Sequence, residues 1–428
     1  MAAHQNSSRS RSLLRSLRSR NYRLFFSGQS VSLIGTWMQQ TAMSWLVYRM
    51  TGSAMALGVI GFAGQIPMLL VSPLAGVYAD RMNRYHLLIA TQVLAMLQAL
   101  VLAVLTLTGS VQIWHLFVLT LFLGLVYAFD MPVRHSFVVE MLEDKDDLGN
   151  AIALNSSLFN GARLVGPSLA GVLIGLSSEG VCFLINGLSF LAVLVALLFM
   201  KVRTRDIPRT GSSLMEELRN GLRYVREFTP LKYILFNLGM MSFMGMPYAI
   251  LMPVFAKDVL KGGPETLGFL MASSGVGALA GALFLASRKS ILGLGRLIGV
   301  ASMLFGAGIV LFGISRSLPL SLVLTAVAGF GLMVQMVASN TIVQTIIEED
   351  MRGRVMSFFA MAFAGTMPFG SLYAGTLASS IGAPSTLAIS GILCIAGGMI
   401  FSSRLHRMRR AIRPIYHKMG ILPERPRG

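Results

Sequence analysis

Long apolar runs separated by short polar connections recur twelve times along this chain. A helix that crosses the ~30 Å hydrocarbon core of a bilayer needs roughly 20 mostly apolar residues. Twelve segments meet that length, at about 24–48, 55–79, 86–108, 112–134, 148–176, 181–200, 231–256, 265–287, 296–315, 318–346, 354–380 and 383–403. Ten-residue stretches of strict alternation, the mark of an outer-membrane barrel, do not occur. The pattern predicts an all-α membrane protein with twelve transmembrane helices, called spans 1 to 12 below.

The longest polar stretch, 201–230, falls halfway along and divides the spans into two groups of six. Ser213 and Glu216 form a capping box there, and Leu214, Leu218, Leu222, Val225 and Phe228 follow at helical spacing. An amphipathic surface helix joining two halves is expected. The C-terminal run from Arg404 to Arg413, with Leu405, Met408 and Ile412 on one face, has the same character. For both segments a plain solvated linker is the competing reading. The expected organisation is a basic tail (1–23), a six-helix bundle (24–200), a linker (201–230), a second six-helix bundle (231–403) and a second basic tail (404–428).

The halves echo each other in sequence. Leu57-Gly58 corresponds to Leu267-Gly268 at an offset of 210, and Gly124-Leu125 to Gly331-Leu332 at 207. Gly166-Pro167-Ser168-Leu169-Ala170-Gly171 corresponds to Gly370-Ser371-Leu372-Tyr373-Ala374-Gly375 at 204. Two six-helix units in parallel repeat place a substrate path at their interface.

Composition and charge sharpen the class. Of 428 residues, 54% are hydrophobic and 13% charged, where a soluble domain carries roughly 25% charged. The net charge of +18, taken alone, suggests nucleic acid, but its distribution does not. With the N-terminus inside, 31 of the 36 basic residues fall in cytoplasmic segments, four (Arg49, Lys257, Lys261, Arg316) fall outside, and Arg163 lies within a span. That ratio predicts both termini in the cytoplasm, with basic flanks facing anionic lipid and no nucleic-acid partner. The acid-free segment 7–23 can also be read as an organellar transit peptide. Cys182 and Cys394 lie in apolar stretches without partners at metal-ligand spacing, so neither a disulfide framework nor a metal site is expected.

Several motifs carry a family resemblance. Gly76-Val77-Tyr78-Ala79-Asp80-Arg81-Met82-Asn83-Arg84 looks like the G-x-x-x-D-R-x-x-R signature after span 2 of the major facilitator superfamily. Gly166-Pro167-x-x-Ala170-Gly171 resembles that superfamily's span 5 motif, G-P-x-x-G-G, typical of exporters working as antiporters, with alanine at 170 a departure. Trp45-Leu46-Val47-Tyr48, Thr51-Gly52-Ser53 and Arg352-Gly353-Arg354-Val355 are similar to the secretion-effector branch of siderophore and macrolide exporters. The resemblance implies that Asp80, Arg81 and Arg84 form a cytoplasmic latch, with Asp80 accepting from a helix N-terminus. Ordinary basic flanks account for the two arginines but not for Asp80.

Charge inside a span is costly and marks a functional candidate. Tyr127, Asp130 and Arg134 share one face of span 4, and Asn155, Phe159 and Arg163 share one face of span 5. One reading makes Asp130 a proton carrier, controlled by access to Arg134 or Arg163. The other makes it a permanent ion pair with either arginine. Uncharged polar residues on otherwise apolar helices are the candidate chamber lining: Gln29, Ser32, Thr36 and Gln40 of span 1; Asn237, Met241, Met244 and Tyr248 of span 7; Gln335, Asn340 and Gln344 of span 10. Bonds between neighbouring helices are the alternative for these.

No P-loop, G-x-S-x-G or H-E-x-x-H motif is present, so an enzyme is not expected, nor a cofactor. The leading expectation is a monomeric secondary transporter of a bacterial inner membrane. It would export a bulky, partly apolar small molecule by proton-coupled antiport with alternating access. A lysophospholipid or solute symporter and a non-transporting scaffold or sensor are the competing readings. The scaffold is separated from the transporter by whether the polar stripes of spans 1, 4, 7 and 10 converge on a chamber closed at one end.

Overall fold

The computed structural model describes residues 14–79, 82–201, 214–245, 247–288 and 290–421. It is all-helical and membrane-spanning. Eleven helices among the described residues are long and apolar enough to cross a bilayer. Span 1 (Arg20–Thr51) makes twelve. Its polar content is higher because it is enclosed by protein: Gln29, Ser32, Gln39 and Thr41 are all buried. It ends at Gly52, which takes the left-handed φ of 59° and donates its N–H to the Tyr48 carbonyl.

The rest of the first half is span 2 (Ala54–Ala79), span 3 (Arg84–Leu107), span 4 (Ile113–Met141), span 5 (Leu148–Leu176) and span 6 (Glu179–Leu198). Asn83 caps span 3 by accepting from the Tyr85 and His86 amides. Span 4 is continuous through Pro132 and runs seven residues beyond its expected end. The stretch before span 1 is part of the fold. Ser16 hydrogen-bonds the Asn150 side chain at 2.8 and 3.0 Å, and Tyr22 is buried, donating to the Ala151 carbonyl at 2.9 Å.

The second half contains two broken spans. Span 7 is Thr229–Met244 followed by Tyr248–Val254 and a π-helical turn, Phe255–Val259. Span 11 is Arg352–Ala364 followed by Met367–Ile381. Prolines 247 and 368 flank the two breaks, since proline supplies no N–H to the preceding turn. Gly370 permits the breaks to touch: a Cβ there would lie 2.4 Å from the Phe243 carbonyl oxygen. Span 8 (Pro264–Ala286), span 9 (Leu294–Ile314) and span 10 (Leu318–Ile346) are continuous. Span 12 runs on from Ala383 to Lys418, with Met408 and Ile412 packed into the second half's core. The C-terminal amphipathic run is therefore an extension of the last span. The linker helix Leu214–Glu227 docks on spans 7 and 11, with Gly221 against Phe358 and Arg354. The expected cap at Ser213 lies outside the described residues.

The repeat is visible in the packing. In the first half span 1 packs on 5 and 6, span 3 on 4 and 6, and span 2 on 4. In the second half span 7 packs on 11 and 12, span 9 on 10 and 12, and span 8 on 10. These are the same pairs, six spans on. The halves meet chiefly through span 5 against span 8 and span 2 against span 11, which are equivalent pairs under the repeat.

Candidate transport pathway between the halves

Twelve crossings bring both chain ends to one side of the membrane, called here the terminal face; the opposite side is the far face. The contact between halves is uneven along this axis. Toward the far face the repeated glycines close it. A Cβ on Gly58 would sit 2.7 Å from the Ser371 carbonyl oxygen and 2.8 Å from Gly375 Cα. On Gly268 it would sit 2.6 Å from the Pro167 carbonyl oxygen and 3.1 Å from Gly171 Cα. Gly58 and Gly268 are repeat equivalents, as are Gly171 and Gly375. The seam is thus one backbone-on-backbone contact used twice, possible only where no side chain intervenes. Ala170, the departure from the span 5 motif, is buried. Its carbonyl lies 4.0 Å from Cys182 Sγ of span 6.

Beyond the seam the far face is latched. Tyr48 of span 1 donates a hydrogen bond to Asp258 at the end of span 7, with the Lys257 ammonium 5.6 Å from the Tyr48 ring. Tyr48 and Asp258 are themselves separated by 210, the Leu57–Leu267 offset, so the latch joins equivalent positions of the two halves. Arg49 makes a two-pronged bridge to Glu179, at 2.7 and 3.2 Å, within the first half.

Toward the terminal face the same helices part. On span 5 the stripe that presses on span 8 through Leu164, Pro167 and Gly171 continues as Asn160, Ser156, Ala153 and Gly149. The last three are exposed. Nothing lies within 4 Å of a Cβ placed on Gly149, Gly161 or Gly353. Among the described residues, the space between the halves is therefore open at the terminal face and shut at the far face.

The candidate residues divide accordingly. Gln40 and Gln344 are exposed, and Thr36, Tyr127, Asn155, Met244 and Asn340 are partly so. Tyr127 reaches Thr36, Tyr22 donates to Asn155 at 3.1 Å, and Gln344 donates to Asn340 at 3.0 Å. Gln29, Ser32, Asn237, Met241 and Gln335 are buried rather than exposed as chamber lining was expected to be. Asn237 donates instead to Ser302 of span 9 at 3.0 Å, and Gln335 donates to Ser339 on its own helix. Helix-to-helix bonding won at Asn237. A similar ladder, Asn186 to Gln39 at 2.8 Å and Gln39 to Gln98 at 2.9 Å, ties spans 6, 1 and 3.

The intramembrane charges also separate. Asp130 is 2% exposed and its carboxylate is filled by donors: Thr91 at 2.8 Å, Gln92 at 2.6 Å and Arg134 one turn away. Thr91 and Gln92 of span 3 are partners that no spacing in the sequence points to. Arg163 takes no part, so it is not Asp130's partner in this conformation. It sits at mid-height of span 5, its guanidinium 5.8 Å from the Trp37 ring centroid. Trp37 is held edge-on by Phe159 at 5.5 Å. Across the seam Tyr248 is within electrostatic reach of Arg163, its hydroxyl 2.6 Å from Ser274 Oγ.

At the terminal face Arg84 bridges Glu140 at 2.8 Å, joining spans 3 and 4. Asp80 and Arg81, the core of the expected latch, lie outside the described residues. Gly76 falls within the span 2 helix, and Gly166 packs on span 1, its Cβ position 2.5 Å from Trp37 Cβ.

Two six-helix halves related by a repeat and meeting over a one-sided opening define a secondary transporter of the major facilitator fold. Solved structures agree on the fold. A bacterial homologue of the human lysosomal transporter Spinster, inward-facing and occupied, superposes with a TM-score of 0.73 at 12% identity, covering 92% of this chain and 98% of that one. A point mutant of the nucleoside transporter NupG superposes at 0.68 with 13% identity, covering 90% and 99%. The chain belongs to the transmembrane secretion effector family, which matches it over residues 11–418. Its relatives include the staphyloferrin A transporter of Staphylococcus aureus, 26% identical over 88% of this chain and 94% of that protein. The multidrug efflux pump Tap of Mycolicibacterium fortuitum is 26% identical over 87% and 93%. Macrolide efflux protein A of Streptococcus pyogenes is 25% identical over 88% and 95%. The protein is a multi-pass membrane transporter and not an enzyme, which removes the scaffold reading.

Proposed function

We propose that this protein exports a bulky, partly apolar small molecule from the cytoplasm by alternating access, driven by proton entry. The terminal face is the cytoplasmic one on this reading, because it carries the great majority of the basic residues. The observation that carries the proposal is the uneven interface: the halves are sealed by paired glycines toward the far face and parted below, so the chamber is loaded from the cytoplasm. Rocking of the 24–200 and 231–403 bundles about the seam, with the 201–230 linker holding them together, would then discharge the substrate outward. Relatives that carry a siderophore, macrolides or several drugs support a substrate of that size.

Asp130 is the carboxylate best placed to couple the proton, as it is buried at mid-span with an arginine that can leave it. A proton arriving on Asp130 would release Arg134, whose side chain is 22% exposed, toward the chamber. The test is substrate-stimulated proton flux in proteoliposomes holding a pH gradient, with a panel of siderophores, macrolides and amphipathic dyes, wild type against Asp130→Asn. Proton movement opposite to substrate, lost in the variant, is expected; flux in the same direction as substrate contradicts antiport.

A further inference from the structure

Among the described residues Arg163 has no ion-pair or hydrogen-bond partner, only the Trp37 ring beside it. Among the described residues, the ion pairs join Arg15 to Asp147, Arg49 to Glu179, Arg84 to Glu140 and Arg134 to Asp130. Within that same set, no hydrogen bond or carboxylate reaches the guanidinium of Arg163. The other acids near its side of the seam, Asp258 and Glu265, lie at the far-face ends of spans 7 and 8, and Asp258 holds Tyr48. A cation in the middle of a membrane protein is ordinarily paired or hydrogen-bonded, and this one is neither.

The fold does not require a charge there. At the offset that relates the span 5 motif to span 11, the equivalent of Arg163 is Met367, the first residue after the break in span 11. The equivalent position in the other half carries an apolar side chain. Arg163 is partly exposed and stands at the level where span 5 leaves span 8: its carbonyl oxygen is 3.5 Å from the Cβ position of Gly275, and Ser156, Ala153 and Gly149 below it are exposed. Fifteen residues separate it from Leu148, the terminal-face end of its helix, a depth of about 22 Å. The cation therefore marks the roof of the chamber, flanked by the Trp37 and Phe159 rings and by the Tyr248–Ser274 hydroxyl pair.

We propose that Arg163 anchors an anionic group of the transported molecule, a carboxylate or comparable planar oxyanion, at the roof of this chamber. The guanidinium fork matches such a group with two parallel hydrogen bonds, while the Trp37 and Phe159 faces take the apolar body beside it. This rests on the exporter reading and narrows it to molecules bearing negative charge.

The test uses the purified full-length protein in lipid nanodiscs and three probes of similar bulk: pyrenebutyrate, its uncharged methyl ester, and the cation tetraphenylphosphonium. Binding is measured by equilibrium dialysis to wild type, Arg163→Gln and Arg163→Lys. Wild type is expected to hold pyrenebutyrate about tenfold or more tightly than the ester. Arg163→Gln should lose that preference while keeping its affinity for the ester, and Arg163→Lys should fall between, keeping the charge without the fork. The preference in wild type alone is informative if a variant does not fold. Ester and cation binding without preference for the anion overturns this proposal and leaves the exporter standing. Anion preference unchanged in Arg163→Gln also overturns it, assigning the arginine to packing. Failure of wild type to bind any of the three overturns both this proposal and the chamber on which the exporter reading depends.

Discussion

Arg134 and Arg163 are the same side chain on successive helices of one bundle, about 10 and 22 Å from the terminal-face ends of those helices, and they are treated in opposite ways. Arg134 meets Asp130 one turn back on its own helix, and span 3 completes the carboxylate's bonds through Thr91 and Gln92. Arg163 meets aromatic rings, a phenol and open space. The lesson is that intramembrane charge is handled in two ways: one is consumed internally and ties helices together, and the other is left with unfilled hydrogen-bonding capacity, which the proposed anion would use.

The largest effect expected from breaking this contrast is on the paired site. Asp130→Asn leaves Arg134 uncompensated, and loss of one member of a buried pair costs about 3–5 kcal/mol. A marked fall in detergent melting temperature checks this; an unchanged value would show that Arg134 is already solvated. Arg163→Gln should move stability the other way or not at all, since it removes a cation whose placement costs about 2.5–3.5 kcal/mol on insertion scales. The same variant should lose export of anionic substrates, so melting and transport assays on one preparation separate the two arginines.

Smaller effects are expected at the seam that forms the chamber roof. Gly171→Ala forces a methyl against Gly268 Cα and the Pro264 carbonyl oxygen, 3.1 and 2.9 Å away. Overpacking of this kind costs about 1–3 kcal/mol, here charged only to the conformation closed at the far face. Distances between spin labels at the far ends of spans 5 and 8 should broaden toward longer values, and Gly58→Ala should do the same between spans 2 and 11. The smallest effect is Asp258→Asn, which turns the Tyr48 contact into a neutral hydrogen bond and costs about 1 kcal/mol. It should raise far-face opening without altering the melting temperature of either half.

Much of the fold is legible in the chain. Spans 5 and 10 begin and end where the apolar runs do, because nothing inside them competes with a continuous helix. Spans 7 and 11 read as single helices, and their breaks at Pro247 and Pro368 depend on each other's surfaces, which hydropathy does not encode. The repeat offsets locate Gly58, Gly171, Gly268 and Gly375, though not that they touch in equivalent pairs. Polar residues inside spans are the least legible. Gln40 and Asn237 look alike in sequence, yet one is exposed and the other is bonded to Ser302, a difference set by which neighbour each helix face meets. Asp130 stands out as a charge within a span, but its partners on span 3 are 38 and 39 residues away, beyond the reach of spacing arguments.

The central claim, a chamber open on the cytoplasmic side and shut at the far face, is tested most directly by thiol accessibility. Cys182 and Cys394 are buried and provide a silent background. Ser156→Cys places a thiol on the exposed stripe of span 5, about 10 Å nearer the terminal face than Arg163. A membrane-impermeant maleimide is applied to inverted and to right-side-out vesicles. Rapid labelling in inverted vesicles, with protection in right-side-out ones, is the predicted result. Labelling confined to right-side-out vesicles would contradict the orientation, and equal labelling in both would contradict the sealed far face.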